Sequence, residues 1–314
     1  MSSSTYRPPM RRGVQLCNPF EETRLRKWGY LYTLSQPKLD GDRCIIRWVE
    51  GKPKLFSSEG NVFETVPHIQ EQLMYMFPHS HEEEPPILDG ELYVHGMEHE
   101  LIHGIVSASR VSLHPLYEKM ELHLFDIQSD DKQWDRLCHL GRLRTDLPNI
   151  HFVETSRIDA SAAAVMQRLR FYKEEGYEGI IIRHPFGVYH ITNGNTRSPH
   201  VMKFKPMKQD QYLICGYSIE LDKYNNPKDN SLGRLICCGK EVMPPEWFSQ
   251  YPATYKPPKG YFAIGTGFTH QVRRELWEQR EELKFRWVII NYQHITSANK
   301  VPRHGVFESL VEGV

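Results

Sequence analysis
Apolar and polar residues alternate with a period near two over much of the chain, with two clear helical interruptions in its first two hundred residues. "CIIRWV" (44–49) has strand character, and "KLFSSEGNVF" reads as a second strand followed by a turn at Gly60. Together they predict an antiparallel pair. In "TVPHIQEQLMYMF", Ile69, Leu73 and Phe77 fall at helical spacing, and the acidic, proline-ended "HEEEPP" predicts a surface loop. "ILDGELYV" and "ELHLFDI" are the next strands. "DASAAAVMQRLRFYKEEG" predicts a helix stopped at Gly176, followed by the strands "EGIIIRH" and "HVMKFKP". Past Lys208 the pattern changes to short strands, "QYLICGYSIE", "GRLICC", "YFAIGTGF" and "RWVIINYQHI", with one charged helix, "QVRRELWEQREEL". Short glycine-kinked strands around a single helix suggest a small barrel. The pattern therefore predicts an α+β chain of two domains, residues 1–208 and 209–314, with no internal repeat.

Composition narrows this picture. The length of 314 residues favours a large domain plus a small one. The 39 basic residues balance 39 acidic ones, so any surface that attracts a polyanion has to be local. The six cysteines form no C-x-x-C pair, which fits reduced thiols. The basic N-terminal stretch lacks an apolar signal core, and no apolar run is long enough to span a bilayer. The expectation is a soluble, cytoplasmic protein without membrane contact.

The chemistry concentrates in short polar stretches at strand ends. "KLDGDR" (38–43) places a lysine, two aspartates and an arginine around a D-G turn, which by itself is also an ordinary surface turn. A lysine amine is protonated at neutral pH unless burial or neighbouring cations release its lone pair. Lys38 meets that need if Arg43, Lys203, Lys205 and a metal ion converge on it. Asp89 and Glu91, two apart in a strand, share one face, so one of these acids can hold a ribose hydroxyl. By the same spacing Glu178 is expected on the face of Ile180 and Ile182. Lys203 and Lys205 share a face about 7 Å apart, a spacing suited to a triphosphate or to an exposed basic strand.

The order K-x-D-G-x-R, D-G-E, F-D, E-G-I-I-I-R and K-x-K resembles the covalent nucleotidyltransferase superfamily, and most closely the small two-domain ATP-dependent DNA ligases, over about residues 30–310. The resemblance implies a nucleotidyltransferase (adenylation) domain with antiparallel sheets, followed by a C-terminal OB-fold β-barrel. It implies that Lys38 attacks the α-phosphorus of ATP and carries AMP, that the AMP passes to the 5′-phosphate of a nick in duplex DNA, and that the 3′-hydroxyl then seals the strand. Carried over by position, Arg43 and Glu91 hold the ribose, Phe125 stacks on adenine and Gln36 contacts the base edge. Glu178 binds magnesium, with manganese able to stand in. Lys203 and Lys205 draw charge from the α-phosphate, Asp40 assists the later steps, and Arg197 lies near the phosphates. The expected partner is nicked double-stranded DNA, met by a monomer. The basic N-terminal segment, with Arg7, Arg11, Arg12, Arg24, Arg26 and Lys27, is a candidate phosphate contact, or a solvated tail. "PPEWFSQYPATYKPPKG" (244–260) either grips DNA or packs on the barrel.

Two departures from the family pattern stand out. Where many relatives carry S-R-x-G, this chain reads "SSEG", so Ser58 replaces the arginine that anchors the nick 5′-phosphate. The final "VPRHGVFESLVEGV" carries no R-x-D-K element, so self-adenylation is expected to be slow unless Arg303 substitutes. A competing reading comes from "HELIH", in which His99 and His103 match zinc ligands and Glu100 the base of a hydrolase. Within the superfamily, an RNA ligase or a capping guanylyltransferase is the alternative. A binding protein that keeps the fold without the chemistry is a third class.

Overall fold
The computed structural model describes residues 11–311, apart from 79, 81, 83, 109–111, 144, 145, 195 and 297. These divide into two compact units, 11–205 and 206–311. In chain order the first unit contains β1 (Arg12–Val14), β2 (Asn18–Pro19), α1 (Glu22–Lys27), β3 (Tyr32–Lys38), β4 (Asp42–Val49), β5 (Lys52–Ser57) and β6 (Val62–Phe63). Then come α2 (Pro67–Met76), β7 (Ile87–Tyr93), α3 (His99–Val106), β8 (Glu121–Gln128), α4 (Gln133–Leu140), β9 (Ile150–Phe152) and β10 (Ser156–Asp159). The unit ends with α5 (Ala162–Glu174), β11 (Gly179–Arg183), β12 (Thr192–Asn193) and β13 (Val201–Phe204).

Two sheets carry the first unit. One has strand order β6-β5-β4-β7-β8-β9 and the other β10-β3-β11-β13-β2, with most neighbours antiparallel. The alternation read from the sequence explains why each sheet has an apolar face. Ile46, Leu88, Leu92, Leu122 and Leu124 meet Ile69 and Leu73 of α2 and Ile102 and Ile105 of α3 in one core. Ile180, Ile182 and Met202 meet Val165, Leu169 and Tyr172 of α5 in another. Burying each such side chain contributes about 1.5–3 kcal/mol, so the helices are held by the sheets rather than by their own propensity. Helix α5 starts at Ser161, whose hydroxyl accepts from the Ala164 N–H at 3.2 Å. It ends before Gly176, whose φ of +88° is the left-handed stop its sequence predicts.

Glu178 departs from the period-two expectation. It precedes β11, its N–H donates to the Lys38 carbonyl at 3.1 Å, and its carboxylate meets Lys38 and Lys205 instead of following Ile180 and Ile182 into the α5 core. Strand alternation fails there because the residue lies outside the ladder that enforces it.

The second unit comprises β14 (Lys208–Leu221), β15 (Pro227–Cys238), β16 (Ser249–Tyr251), β17 (Tyr261–Ile264), α6 (His270–Glu278), β18 (Trp287–Tyr292) and β19 (Val306–Leu310). Its sheet runs β17-β15-β14-β18-β19, with β16 parallel to β14. Two strands are longer than the sequence suggests: β14 and β15 have 14 and 12 residues, joined across three register shifts. Such bulges bend long strands without ending them. Among the described residues the strand path is open, and its ends approach through one backbone hydrogen bond, Phe307 N–H to the Thr266 carbonyl at 2.9 Å. The aromatic segment 244–260 packs on this sheet: Tyr251 stacks on Tyr255 at 4.3 Å, and Arg234 donates to the Tyr255 carbonyl at 3.1 Å. Among the described residues no helix is long and apolar enough to cross a membrane.

Candidate active site
The apolar faces of the two sheets turn toward helices, which leaves their polar faces to line a common cavity of about 780 Å³. Gln36, Lys38, Ile181 and Lys203 come from the five-stranded sheet, where Ile181 is paired with Gln36 on one side and Lys203 on the other. Arg43, Glu91 and Phe125 come from the six-stranded sheet, where Arg43 is paired with Glu91. "KLDGDR" is the chain's passage between the sheets: β3 ends at Lys38, Leu39 is buried in the larger core, and β4 begins at Asp42. The glycine of this turn is required by closeness, since a Cβ on Gly41 would lie 2.2 Å from the Leu92 carbonyl oxygen. Its N–H donates to Glu91 Oε1 at 3.0 Å, which fastens the turn to β7. Gly179 answers the same need beside β13, where a Cβ would lie 2.2 Å from the Phe204 carbonyl oxygen.

Contrary to the expectation that cations converge on Lys38, the charges acting most strongly on it are anions. Its ammonium is paired with Glu178, which also takes Lys205. Burial alone would lower the amine's pKa, but Glu178, Glu91 and Asp40 outweigh it and hold the value above that of an ordinary lysine. At neutral pH Lys38 therefore carries its proton. Burial and the two lysines have opposite effects on Glu178; the lysines prevail and its carboxyl sits below the usual range. Burial, with the charge of Lys38, lowers Lys203. Glu91 is pushed up to about 7, burial outweighing the attraction of Lys38 and Arg43.

Arg43 is held by Asp89, which it grips with Nε at 2.5 Å and with Nη2, while the Tyr189 hydroxyl donates to the same carboxylate at 2.6 Å. Asp89 faces Asp126 directly across β7 and β8, and both are fully buried. Two opposed carboxylates would repel in a dry interior, and each is matched by arginine. Asp126 receives Arg136 Nε at 2.8 Å and Arg183 Nη1 at 2.9 Å, with Gln133 adding a hydrogen bond at 3.1 Å. Arg183 also donates to Gln36 Oε1 at 2.6 Å, and Gln36 Nε2 donates to the Phe125 carbonyl and to Thr155 Oγ1. Gln36 is thus fixed in the cavity wall by three partners. The Phe125 ring carries the Arg43 guanidinium 4.7 Å from its centroid and that of Arg183 at 5.3 Å.

Seven of the residues expected at the site line this cavity: Gln36, Lys38, Arg43, Glu91, Phe125, Arg197 and Lys203. Glu178 and Lys205 join through Lys38. Asp40 is half-buried and does not line the cavity, although its charge acts on Lys38. Arg197 donates to the Cys17 carbonyl at 2.5 Å. Ser58 lines the cavity and accepts a hydrogen bond from Arg11 Nη1 at 2.9 Å. Arg24 and Arg26 pair with Glu21 and Glu22 along α1, Arg7 lies outside the described residues, and the side chain of Arg12 is likewise not described. Arg303 lies in the second unit, where its N–H donates to the His294 carbonyl at 2.8 Å.

"HELIH" is indeed helical, in α3, with the His99 and His103 rings parallel and 6.0 Å apart. Both turn to Asp42, His103 at 2.9 Å and His99 at 3.9 Å. Among the described residues, three donors close enough to share one ion occur at Glu121, His123 and His151, not on this helix. The sequence reading missed Tyr189, Asp89 as the holder of Arg43, and the Asp126 network. A readable trace was Arg183, two residues beyond Ile181 and therefore on the cavity face of its strand.

The family description "ATP dependent DNA ligase domain" matches residues 14–205. The DNA ligase of the Tick/Malawi isolate of African swine fever virus is 28% identical over 216 residues, which is 64% of this chain and 48% of that protein. The Pig/Kenya isolate's DNA ligase is also 28% identical, over 211 residues, 64% of this chain and 46% of its own length. The chain spans about half the length of the curated relatives it matches. Among solved structures, Pmar-Lig_Pre superposes with a TM-score of 0.76 at 20% identity, covering 97% of this chain and 68% of that one. A Lig E DNA ligase gives 0.69 at 20% identity, covering 95% of this chain and 99% of the other. At that identity the superpositions establish a shared fold. With the matched region taking in more than half of its length and every lining residue of the Lys38 cavity except Arg11, the chain belongs to the ATP-dependent DNA ligase domain family.

Proposed function
We propose that the chain is an ATP-dependent DNA ligase that seals nicks through AMP carried on Lys38. The observation that carries this is the placement of Lys38 at the end of β3, on the wall of a cavity lined by Arg43, Phe125, Arg197 and Lys203. In the first step the Lys38 Nζ–P bond forms, the bond between the α-phosphorus and the bridging oxygen breaks, pyrophosphate leaves and the amine loses its proton. Lys38 reacts only after giving up both the Glu178 contact and that proton, since an ammonium has no lone pair. Lys203, less firmly protonated than an exposed lysine, and Lys205 stabilise negative charge on the phosphates. Arg43 and Glu91 bind the ribose, and Phe125 offers an apolar face to the base. Gln36, with both amide hydrogens engaged, acts by keeping Arg183 and Phe125 in place, and its one remaining acceptor lone pair is what it offers the base edge. Asp40 serves the later transfers.

A divalent metal fits here, because magnesium is commonly held by one or two carboxylates together with substrate phosphates, and Glu178 offers a carboxylate beside Lys38. When bound, magnesium or manganese would supply positive charge to the α-phosphate. Residues 209–314 are assigned to an OB-fold domain that meets the DNA, supported by the strand-rich sheet with its one regular helix and by the approach of Phe307 to Thr266. Residues 1–208 form the adenylation domain.

The test is mass spectrometry after mixing with ATP and magnesium. A gain of one AMP on Lys38, absent from Lys38→Ala, is expected, followed by joining of a nicked duplex. Nick joining by Lys38→Ala would overturn the assignment. Labelling from GTP in place of ATP would indicate a capping enzyme, and joining confined to RNA ends an RNA ligase.

A further inference from the structure
Away from Lys38, a second group of polar side chains converges on one point. Glu121 and His123 are two apart on β8, and His151 is the parallel partner of His123 on β9. Leu122, Leu124 and Ile150 turn into the core from the same strands, so Glu121, His123 and His151 share the opposite face. Both imidazoles direct Nε2 to the same carboxylate oxygen, Glu121 Oε2, His123 at 2.8 Å and His151 at 3.7 Å. One donor atom from each of the three residues lies within 4.8 Å of the others. Ligands about 2.0–2.1 Å from a tetrahedral zinc ion stand about 3.3 Å from one another, and the two observed separations lie on either side of that value. Among the described residues no lysine or arginine pairs with Glu121, so its carboxylate has no permanent positive charge beside it. None of the three residues lines the Lys38 cavity, although His123 is the cross-strand partner of Glu91, which does.

We propose that Glu121, His123 and His151 hold one divalent transition-metal ion of the zinc class, through two imidazole nitrogens and a carboxylate oxygen, with a fourth position open to water. The side chains are 29%, 17% and 41% exposed, so both the ion and that water can enter from solvent. Imidazole donors favour zinc, copper or nickel, whereas magnesium takes oxygen ligands. The site is therefore chemically separate from the magnesium position assigned to Glu178, whose neighbours are lysines. Folding itself gathers the three ligands. The Leu122 N–H donates to the Asn149 carbonyl and the Val153 N–H to the Leu124 carbonyl, both at 2.8 Å, which fixes β9 against β8 on either side of the His123–His151 pair. Binding then has only side-chain torsions left to order. The proposal needs neither ATP nor DNA and stands apart from the ligase reading.

The experiment uses the full chain, stripped with a chelator that is then dialysed away. Zinc or cobalt(II) is added alone, with stoichiometry read by equilibrium dialysis and coordination by the visible spectrum of cobalt(II). One equivalent is expected to bind, to give the intense absorption of a four-coordinate cobalt site, and to resist a large excess of magnesium. His151→Ala, at the most exposed of the three residues, is expected to weaken zinc binding by more than the roughly 10- to 100-fold that loss of a ligand's supporting partner costs. Glu121→Gln keeps the shape of the carboxylate and gives the same reading if the alanine variant fails to fold. The double variant His99→Ala/His103→Ala, which alters the other histidine pair, is expected to retain the ion. Zinc should raise the unfolding temperature of wild type and leave that of His151→Ala unmoved, a difference that a merely structural His151 would not produce. Absence of stoichiometric binding to the stripped wild type, unchanged affinity in both His151→Ala and Glu121→Gln, or loss of the ion in His99→Ala/His103→Ala overturns the proposal.

Discussion

Asp126 and Glu178 each bridge two cations within the same unit, and they do so in opposite ways. Asp126 and Arg136 have no exposed side-chain surface, and Arg183 has 6%; the carboxylate is enclosed by guanidinium forks, Gln133 and the Ile127 N–H. Glu178 takes two lysines whose side chains are 21% and 17% exposed, on the edge of an open cavity. Arginine keeps its charge and matches a carboxylate with fixed parallel donors, while lysine is a flexible point charge that can lose its proton. The Asp126 arrangement is a permanent part of the wall. The Glu178 arrangement can be exchanged when a ligand brings its own charges, which is what the proposed chemistry at Lys38 needs.

The sharpest way to break the comparison is Arg136→Ala. It strands Asp126 with too little positive charge in a dry site, at a cost of about 3–5 kcal/mol. Urea unfolding should show this loss, and because Gln36 and Phe125 depend on Arg183, nucleotide loading should fall with it. A loss below about 1 kcal/mol would mean that Asp126 is not the structural centre of this wall.

Glu178→Gln should have a smaller effect, about 2 kcal/mol, because both lysines can turn toward solvent. Its pH dependence distinguishes the two hubs. The folded pKa of Glu178 is lowered, so its contribution is present above the unfolded value near 4.5 and lost as pH falls through the lowered one. The folded pKa of Lys38 is raised, so its share is present below 10.5 and lost as pH rises through the higher value. The stability gap between wild type and Glu178→Gln should therefore be flat around neutrality and close in acid. In the variant, modification of Lys38 by an amine reagent should begin at lower pH. A gap that persists at pH 2, or an unmoved amine profile, would contradict the pairing.

The two hubs were unequally legible in the sequence. The Glu178 cluster sits on strand ends whose motifs are short and local, so Lys38, Glu178, Lys203 and Lys205 could be read directly. Their charge state could not, because it depends on Glu91 and Asp40 turning toward Lys38 in space. The Asp126 network joins β8, α4 and β11 from residues 57 positions apart at the extreme, and no periodicity connects them. Arg11 and Ser58 are 47 positions apart, which is why the missing arginine was visible while its neighbour in space was not. The lengths of β14 and β15 were hidden for a related reason: bulges let strands run through polar and glycine-containing stretches that resemble strand ends.

Glu91→Gln is the most delicate test, since it alters neither hub directly but senses the charge balance between them. Burial raises the Glu91 carboxyl to about 7, while an unfolded glutamate titrates near 4.5. Between those values the folded chain retains a proton that the unfolded chain has released, so wild-type stability falls as pH rises through that window. Glutamine cannot ionise, yet its carbonyl still accepts the Gly41 N–H, so the variant should match wild type at pH 4 and exceed it at pH 8. Half-burial limits the difference to about 1 kcal/mol, or about 1–2 °C in unfolding temperature for a chain of this size. If the variant is instead less stable than wild type at pH 8, Glu91 is already ionised in the folded protein, and Lys38 and Arg43 command the cavity more strongly than burial does.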